Sequence, residues 1–217
     1  MKTRSLSLKV SKEIGSVTAE TIVPKDPKAI MTIAHGAGAG IHHDFMITLS
    51  KSLAEERIAT MRFNFPYMEN KKGRPDVPSV AHKTIEAAIV KAQKLFPKLP
   101  LFVAGKSFGG RMTSQYLAAT PNDAVKGIIF FGFPLHAPGK PSIVRGEHLK
   151  DVSSPMLFLQ GSRDEFATWK LIAKVCSSLP LAELTKIEGA NHGFKAGKQD
   201  TMTMLKILTS EWVEKYI

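Results

Sequence analysis

Cysteine is almost absent: Cys176 stands alone among 217 residues. An internal disulfide is therefore impossible, and a thiolate metal cluster lacks ligands. No apolar run approaches the roughly 18 residues that a bilayer-spanning helix needs. The opening stretch, MKTRSLSLKVSKEIG, is basic but carries neither an apolar h-region nor a small-residue cleavage site, so the expected compartment is the cytoplasm. Acidic side chains are few, 19 against 30 Lys and Arg, which leaves a net charge of +11. Such a balance can attract nucleic acid, acidic lipid or anionic substrates. Here the positive residues are dispersed. The densest group, ENKKGRPD over Glu69 to Asp76, is flanked by acids, and no nucleic-acid module signature is visible. The excess reads as solvated surface, and neither nucleic acid nor a membrane is expected as a partner. Repeats, low-complexity tracts and dividing linkers are missing too, so residues 1–217 read as a single domain.

What is present is an ordinary globular composition, 43% hydrophobic and 23% charged. A chain of this length buries about 70% of the surface it exposes when unfolded. Short apolar runs alternate with helical patterns. SLSLKV and VTAETIV read as an opening antiparallel pair, and AIMTIAHG as a buried strand. A helix follows, with Asp44 as its expected N-cap and Phe45, Leu49 and Leu53 on one face. TMRFNFP is the next strand, stopped by Pro66, and a polar loop runs from Tyr67 to Pro78. Val80, Ile85, Ala88, Ile89, Ala92 and Phe96 mark a long helix; LPLFVAG is a strand; Arg111 to Ala119 is a helix. VKGIIFFGFP, SPMLFLQGS and AELTKIEG complete the strands. Trp169, Ile172 and Val175 mark a further helix, and a last one opens at Asp200 and buries Leu205, Leu208, Trp212 and Val213. The alternation predicts an α/β fold: a mostly parallel sheet of about eight strands, antiparallel at its start, with helices on both faces.

The stretch GKSFGG admits two readings. A phosphate loop requires Gly-x-x-x-x-Gly-Lys-Ser, yet Pro100 occupies the first glycine position and Leu101 to Ala104 are strand-like. HGAGAG likewise fails as a dinucleotide turn, because Ile41 stands where the third glycine belongs and Asn64 lies where an acid would meet a ribose. The other reading is a Gly-x-Ser-x-Gly nucleophile elbow, in which Ser107 sits on a strained strand-to-helix turn. Gly105 and Gly109 keep the flanking positions small, and the Phe108 amide faces a developing oxyanion. A glycine-rich turn with a harmless serine is the alternative. The chain order decides in favour of the elbow. Asp164 follows the strand SPMLFLQGS and His192 follows AELTKIEG, in the order serine, acid, histidine. Asp164 would hold the imidazole, and His192 would take the Ser107 proton. Individually, Asp164 could instead cap a helix and His192 could be a polar loop residue. The second oxyanion donor is assigned to the Ala37 amide, with Gly36 and Gly38 shaping its turn, and His35 to packing and hydrogen bonding in that loop. His42, His43 and Asp44 are adjacent at a helix start and do not suggest a metal site. No metal or cofactor is expected.

HGAGAG, MRFNFPYMENKKGRPD, GKSFGGR, GFPLHAPGKP, LQGSRDEF and GANHGF together resemble the small α/β-hydrolase-like proteins of bacteria. These are related to the dienelactone hydrolase group and to a non-catalytic-looking subunit of a eukaryotic histone-acetylating chromatin complex. The resemblance runs from about Ala29 to the C-terminus. It implies the α/β-hydrolase fold and Ser107, Asp164 and His192 as a triad. Dienelactone hydrolases use a cysteine nucleophile where Ser107 stands, so that activity is not implied.

The segment from Leu135 to Ser154 is about twenty residues, too short for a multi-helix cap. A shallow, open site with a minimal lid is expected. Tyr67, Arg74, Phe133 and Arg111 are the candidate substrate contacts, and Phe108, Phe166 and Phe194 belong either to an acyl pocket or to the core. Lys106, Arg111, Lys140 and Arg163 could favour anionic esters or thioesters. The first expectation is a serine hydrolase acting on a small acyl substrate, an ester or thioester. The competing expectations are a binding or scaffold protein that keeps the fold without turnover, and a peptidase or amidase. Oligomeric state is not legible.

Overall fold

Residues 2–217 are described by a computed structural model of the chain. The first two strands, β1 (Thr3–Ser11) and β2 (Gly15–Ile22), form a hairpin. There follow β3 (Ala29–Ala34), α1 (Asp44–Glu55), β4 (Ile58–Phe63), the single-turn α2 (Pro66–Glu69), α3 (Pro78–Leu95), β5 (Leu101–Lys106) and α4 (Phe108–Ala119). The second half runs through β6 (Val125–Phe131), a 3-10 segment (Val144–Asp151), β7 (Met156–Gly161), α5 (Trp169–Ser177), β8 (Ala182–Ile187) and α6 (Thr201–Glu214).

All eight strands join one sheet in the order β1-β2-β4-β3-β5-β6-β7-β8. β2 pairs antiparallel with both β1 and β4, and every other pairing is parallel. A parallel sheet must be covered on both faces, because each strand presents side chains alternately to either side. β3 shows how the sequence meets that demand. Ile30 and Ala34 enter the core beneath α3, α4 and α5, whereas Met31 and Ile33 enter the one beneath α1 and α6. Its six residues are all buried, Thr32 included, which is why AIMTIA reads as a nearly continuous apolar run rather than an alternation. Among the described residues no helix is long and apolar enough to cross a membrane.

Three local expectations are corrected. The N-cap of α1 is His43, whose Nδ1 accepts from the Phe45 amide at 3.2 Å; Asp44 lies one residue inside, where its charge faces the positive helix end. α4 begins at Phe108 rather than Arg111, because the chain passes from β5 into the helix through Ser107 alone. The stretch after Pro66 is partly helical: proline's fixed φ suits a first helical position, and α2 fills one turn before the loop resumes.

The order of connection reverses between β3 and β5, since the chain leaves β3 toward one edge of the sheet and β5 toward the other. A crevice opens beyond the carboxyl ends of strands at such a point. The loops after β3, β5, β7 and β8 all reach it.

Candidate active site

Ser107 has φ 51° and ψ −116°, a conformation that side-chain-bearing residues rarely adopt. The strain is held by backbone packing. A Cβ on Gly105 would lie 2.1 Å from the Gly110 nitrogen, and one on Gly109 would lie 2.4 Å from the Ala34 carbonyl oxygen. Both glycines are thus required by how closely the start of α4 crosses β5 and β3. The turn lifts Ser107 off the sheet, half-buried, with its hydroxyl toward the loop after β8.

His192 lies in that loop. Its Nε2 is 2.8 Å from Ser107 Oγ, and its Nδ1 is 2.7 Å from Asp164 Oδ2. The Asp164 carboxylate accepts the Nδ1 proton, so Nε2 is left with the lone pair that receives the serine hydroxyl. The Asp164 side chain is fully buried, and it is well supplied with donors: Gln160 Nε2 at 2.6 Å on Oδ2 and the Phe166 amide at 2.8 Å on Oδ1. Phe166 also packs against the imidazole, with ring centroids 4.4 Å apart. Gln160 was not singled out in the sequence, where it is one polar letter inside a buried strand; that position is itself the signal.

Lys106, one of the cations that could favour an anionic substrate, is half-buried and lies outside the lining of the cleft beside Ser107. Its Nζ donates to the His192 carbonyl at 2.8 Å and sits over the Phe45 and Phe194 rings. Burial is the main cause that pulls its pKa down to about 8, opposed by the charges of Asp164 and Glu165.

A cleft of about 370 Å³ lies in front of Ser107, lined by Ala37, Pro75, Asp76, Pro78, Phe108, Arg111, Met112, Pro134, Arg145 and Phe166. Ala37 and Phe108, the assigned oxyanion donors, therefore border the same space as the serine hydroxyl. As the first residue of α4, Phe108 has an amide without an intrahelical acceptor, and the helix dipole adds to its pull on negative charge. His35 is buried in the β3 loop. Its Nε2 accepts from the Phe65 amide at 3.0 Å and its Nδ1 donates to the Gly36 carbonyl at 2.8 Å. Burial lowers its pKa to about 4 and keeps it neutral. Gly38, at φ 72°, closes the turn, and the Ala39 amide returns to the Gly36 carbonyl.

Of the four candidate substrate contacts, the structure brings only Arg111 to the cleft lining. Phe133 is fully buried against Phe130 and Phe158, because it leaves β6 pointing into the core. Tyr67 is 1% exposed and packs on His35, Phe65 and Phe108 behind the cleft. Arg74 is exposed on the loop, outside the lining, while its neighbours Pro75 and Asp76 reach inside. Lys140 and Arg163 are exposed away from it. Phe108 and Phe166 do line it, whereas Phe194 stacks on Phe45 in the core. Arg145, not anticipated, arrives on the 3-10 segment.

Comparison with known proteins agrees with this geometry at the level of the fold. Residues 27–215 match the family model described as an alpha/beta hydrolase domain. A dienelactone hydrolase from Anabaena variabilis superposes with a TM-score of 0.80 at 19% identity, covering 100% of this chain and 98% of that one. A lidless α/β serine hydrolase from Xanthomonas campestris gives 0.77 at 19% identity, covering 100% and 96%. A Mycobacterium tuberculosis protein provisionally named a phosphoribosyl transferase is 25% identical over 201 residues, 90% of this chain and 43% of that protein. The chain thus spans less than half the length of the curated relatives it matches.

Proposed function

The chain belongs to the alpha/beta hydrolase domain family, and from that premise we propose that it is a serine hydrolase cleaving small carboxylic esters or thioesters. The observation that carries the reading is the unbroken hydrogen-bonded line from Ser107 Oγ through His192 to Asp164 Oδ2, 2.8 and 2.7 Å, opening on the cleft. Ser107 Oγ attacks the substrate carbonyl while its proton passes to His192 Nε2. Asp164 stabilises the imidazolium from the Nδ1 side. The tetrahedral oxyanion takes hydrogen bonds from the Phe108 and Ala37 amides, a contribution worth about 10²- to 10³-fold in rate per donor. Collapse expels the alcohol or thiol, which leaves with the His192 proton, and the acyl group stays on Ser107. Water, deprotonated by His192, then attacks the acyl-enzyme; the acid departs and the serine recovers its proton.

A scaffold without turnover would be favoured by a sealed serine or a collapsed oxyanion loop. Ser107 is instead half-buried at the wall of an open cleft, which supports turnover. The lidless neighbour's architecture agrees with the short connection between Leu135 and Ser154, which carries only a 3-10 segment.

Labelling with a fluorophosphonate probe tests the reading. The wild type is expected to form an adduct at Ser107, and Ser107→Ala, folded but unlabelled, to lose it. A well-folded wild type that takes no label would overturn it.

A further inference from the structure

Two arginines, Arg111 and Arg145, line the cleft. Arg111 stands one helical turn beyond Ser107, its amide bonded to the Ser107 carbonyl at 3.1 Å, and its side chain is half-buried at the cleft wall. Arg145 enters from the 3-10 segment and lines the same space. Among the described residues neither makes an ion pair. Arg111 Nε is fully buried without any acceptor. A buried donor left unpaired is costly, and two like charges brought together add to that cost. The mutual effect is visible in Arg111, whose pKa is pushed down first by burial and then by the Arg145 charge. Asp76 lines the same cleft; its Oδ2 accepts the Tyr67 amide at 3.0 Å, and neither arginine lies within ion-pair distance of its carboxylate.

An arginine on the first turn of α4 also works against the helix dipole, which favours negative charge there. A bound anion would offset both the mutual repulsion and the unfavourable dipole, and the planar fork of arginine suits carboxylate and phosphate oxygens. We propose that the ester or thioester taken by this cleft carries an anionic group, a carboxylate or phosphate, which Arg111 and Arg145 grip while Ser107 attacks the carbonyl. The inference rests on the serine-hydrolase reading and narrows its substrate class. Charge on the two arginines holds the substrate through a part that does not react, so its contribution appears in selectivity between anionic and neutral esters.

The test compares matched substrates. On the acyl side these are 4-nitrophenyl hemiglutarate and its uncharged counterpart 4-nitrophenyl pentanoate. On the leaving-group side they are butyryl-coenzyme A, which carries phosphates, and the neutral N-acetylcysteamine thioester of butyrate. The wild type is expected to favour one anionic member over its partner by about 10-fold or more in kcat/KM, and the pair that shows the preference tells which side bears the anion. Arg111→Gln and Arg145→Gln, assayed separately so that a folding failure of one leaves the other, are each expected to cut that ratio about 10-fold. Equal rates within both pairs, or ratios untouched by both substitutions, would overturn the proposal even with Ser107 fully active. Calorimetry of Ser107→Ala with glutarate and with inorganic phosphate reads the anion site without turnover. Binding that Arg145→Gln abolishes supports the site even if no ester is hydrolysed, which would then count against the hydrolase reading alone. Absence of binding together with absence of any ester preference overturns the site.

Discussion

The Tyr67 hydroxyl donates to the Gly36 carbonyl oxygen at 3.2 Å, on the same oxygen that receives His35 Nδ1–H. Among the described residues no peptide is cis, so the Gly36–Ala37 unit is planar and trans, and its N–H points opposite to its carbonyl. Two buried donors, with the Ala39 amide as a third, hold that carbonyl, and the Ala37 N–H leaves the opposite side of the peptide, where Ala37 lines the cleft. Tyr67 thus bears on the oxyanion loop from behind rather than on a substrate. Tyr67→Phe keeps the ring packing and removes one hydrogen bond of about 1 kcal/mol. If all of it serves loop orientation, kcat falls about fivefold with little change in KM. Steady-state kinetics on a neutral ester checks this.

Lys106 gives a second prediction. Below its folded pKa of about 8, Lys106 is charged in both folded and unfolded chains, and the full cost of burial is present. Between about 8 and its ordinary value of 10.5, the unfolded chain holds the proton that the folded one has lost, so stability rises with pH across that window. Lys106→Met fits the same space between Phe45 and Phe194 and removes this rise. It also leaves the His192 carbonyl without its donor, so kcat is expected to drop, by about tenfold, while the fold holds. Urea unfolding at a series of alkaline pH values, beside turnover, reads both effects.

His35 acts at the acid side. Its folded pKa, about 4, lies below the ordinary 6.5. The unfolded chain therefore gains a proton first as pH falls through 6.5, and stability is lost down to about pH 4. The maximum is about 3 kcal/mol for a shift of this size. Protonation would set an N–H against the Phe65 amide that Nε2 now accepts from. His35→Gln should show a shallower decline of urea midpoint over that window than the wild type.

The positions of the strands along the chain and the strained turn at Ser107 were legible because they rest on local rules, whereas the order of the strands across the sheet was not read. Apolar runs bounded by glycine and proline mark buried strands, and Gly105, Ser107 and Gly109 reflect a backbone crossing that tolerates no side chain. The side chains expected at the cleft were less legible. Tyr67, Phe133 and Arg74 lie near the right loops, but position along a loop does not say which way a side chain turns. Tyr67 and Phe133 are drawn into aromatic clusters with Phe65 and Phe130. Arg145 reaches the cleft through a 3-10 segment whose path depends on packing against α4, which no periodicity announces.

Gln160 ties these levels together. It is fully buried in β7, accepts the Phe133 amide on Oε1 at 2.8 Å, and donates from Nε2 to Asp164 Oδ2 at 2.6 Å. One amide side chain thus secures both the exit of β6 and the carboxylate that orients His192. Gln160→Met preserves volume but strips both contacts. The Phe133 amide loses its acceptor, a cost of about 1 to 3 kcal/mol, and Asp164 keeps only His192 and the Phe166 amide. Gln160→Glu restores an acceptor for the Phe133 amide, yet sets a second carboxylate against Asp164. The two must then share a proton or repel. Gln160→Met should therefore lower thermal stability and slow turnover moderately at all pH values. Gln160→Glu should instead shift the pH dependence of kcat/KM. A Gln160→Glu profile identical to wild type, with normal rate, would show that the orientation of Asp164 does not depend on this contact.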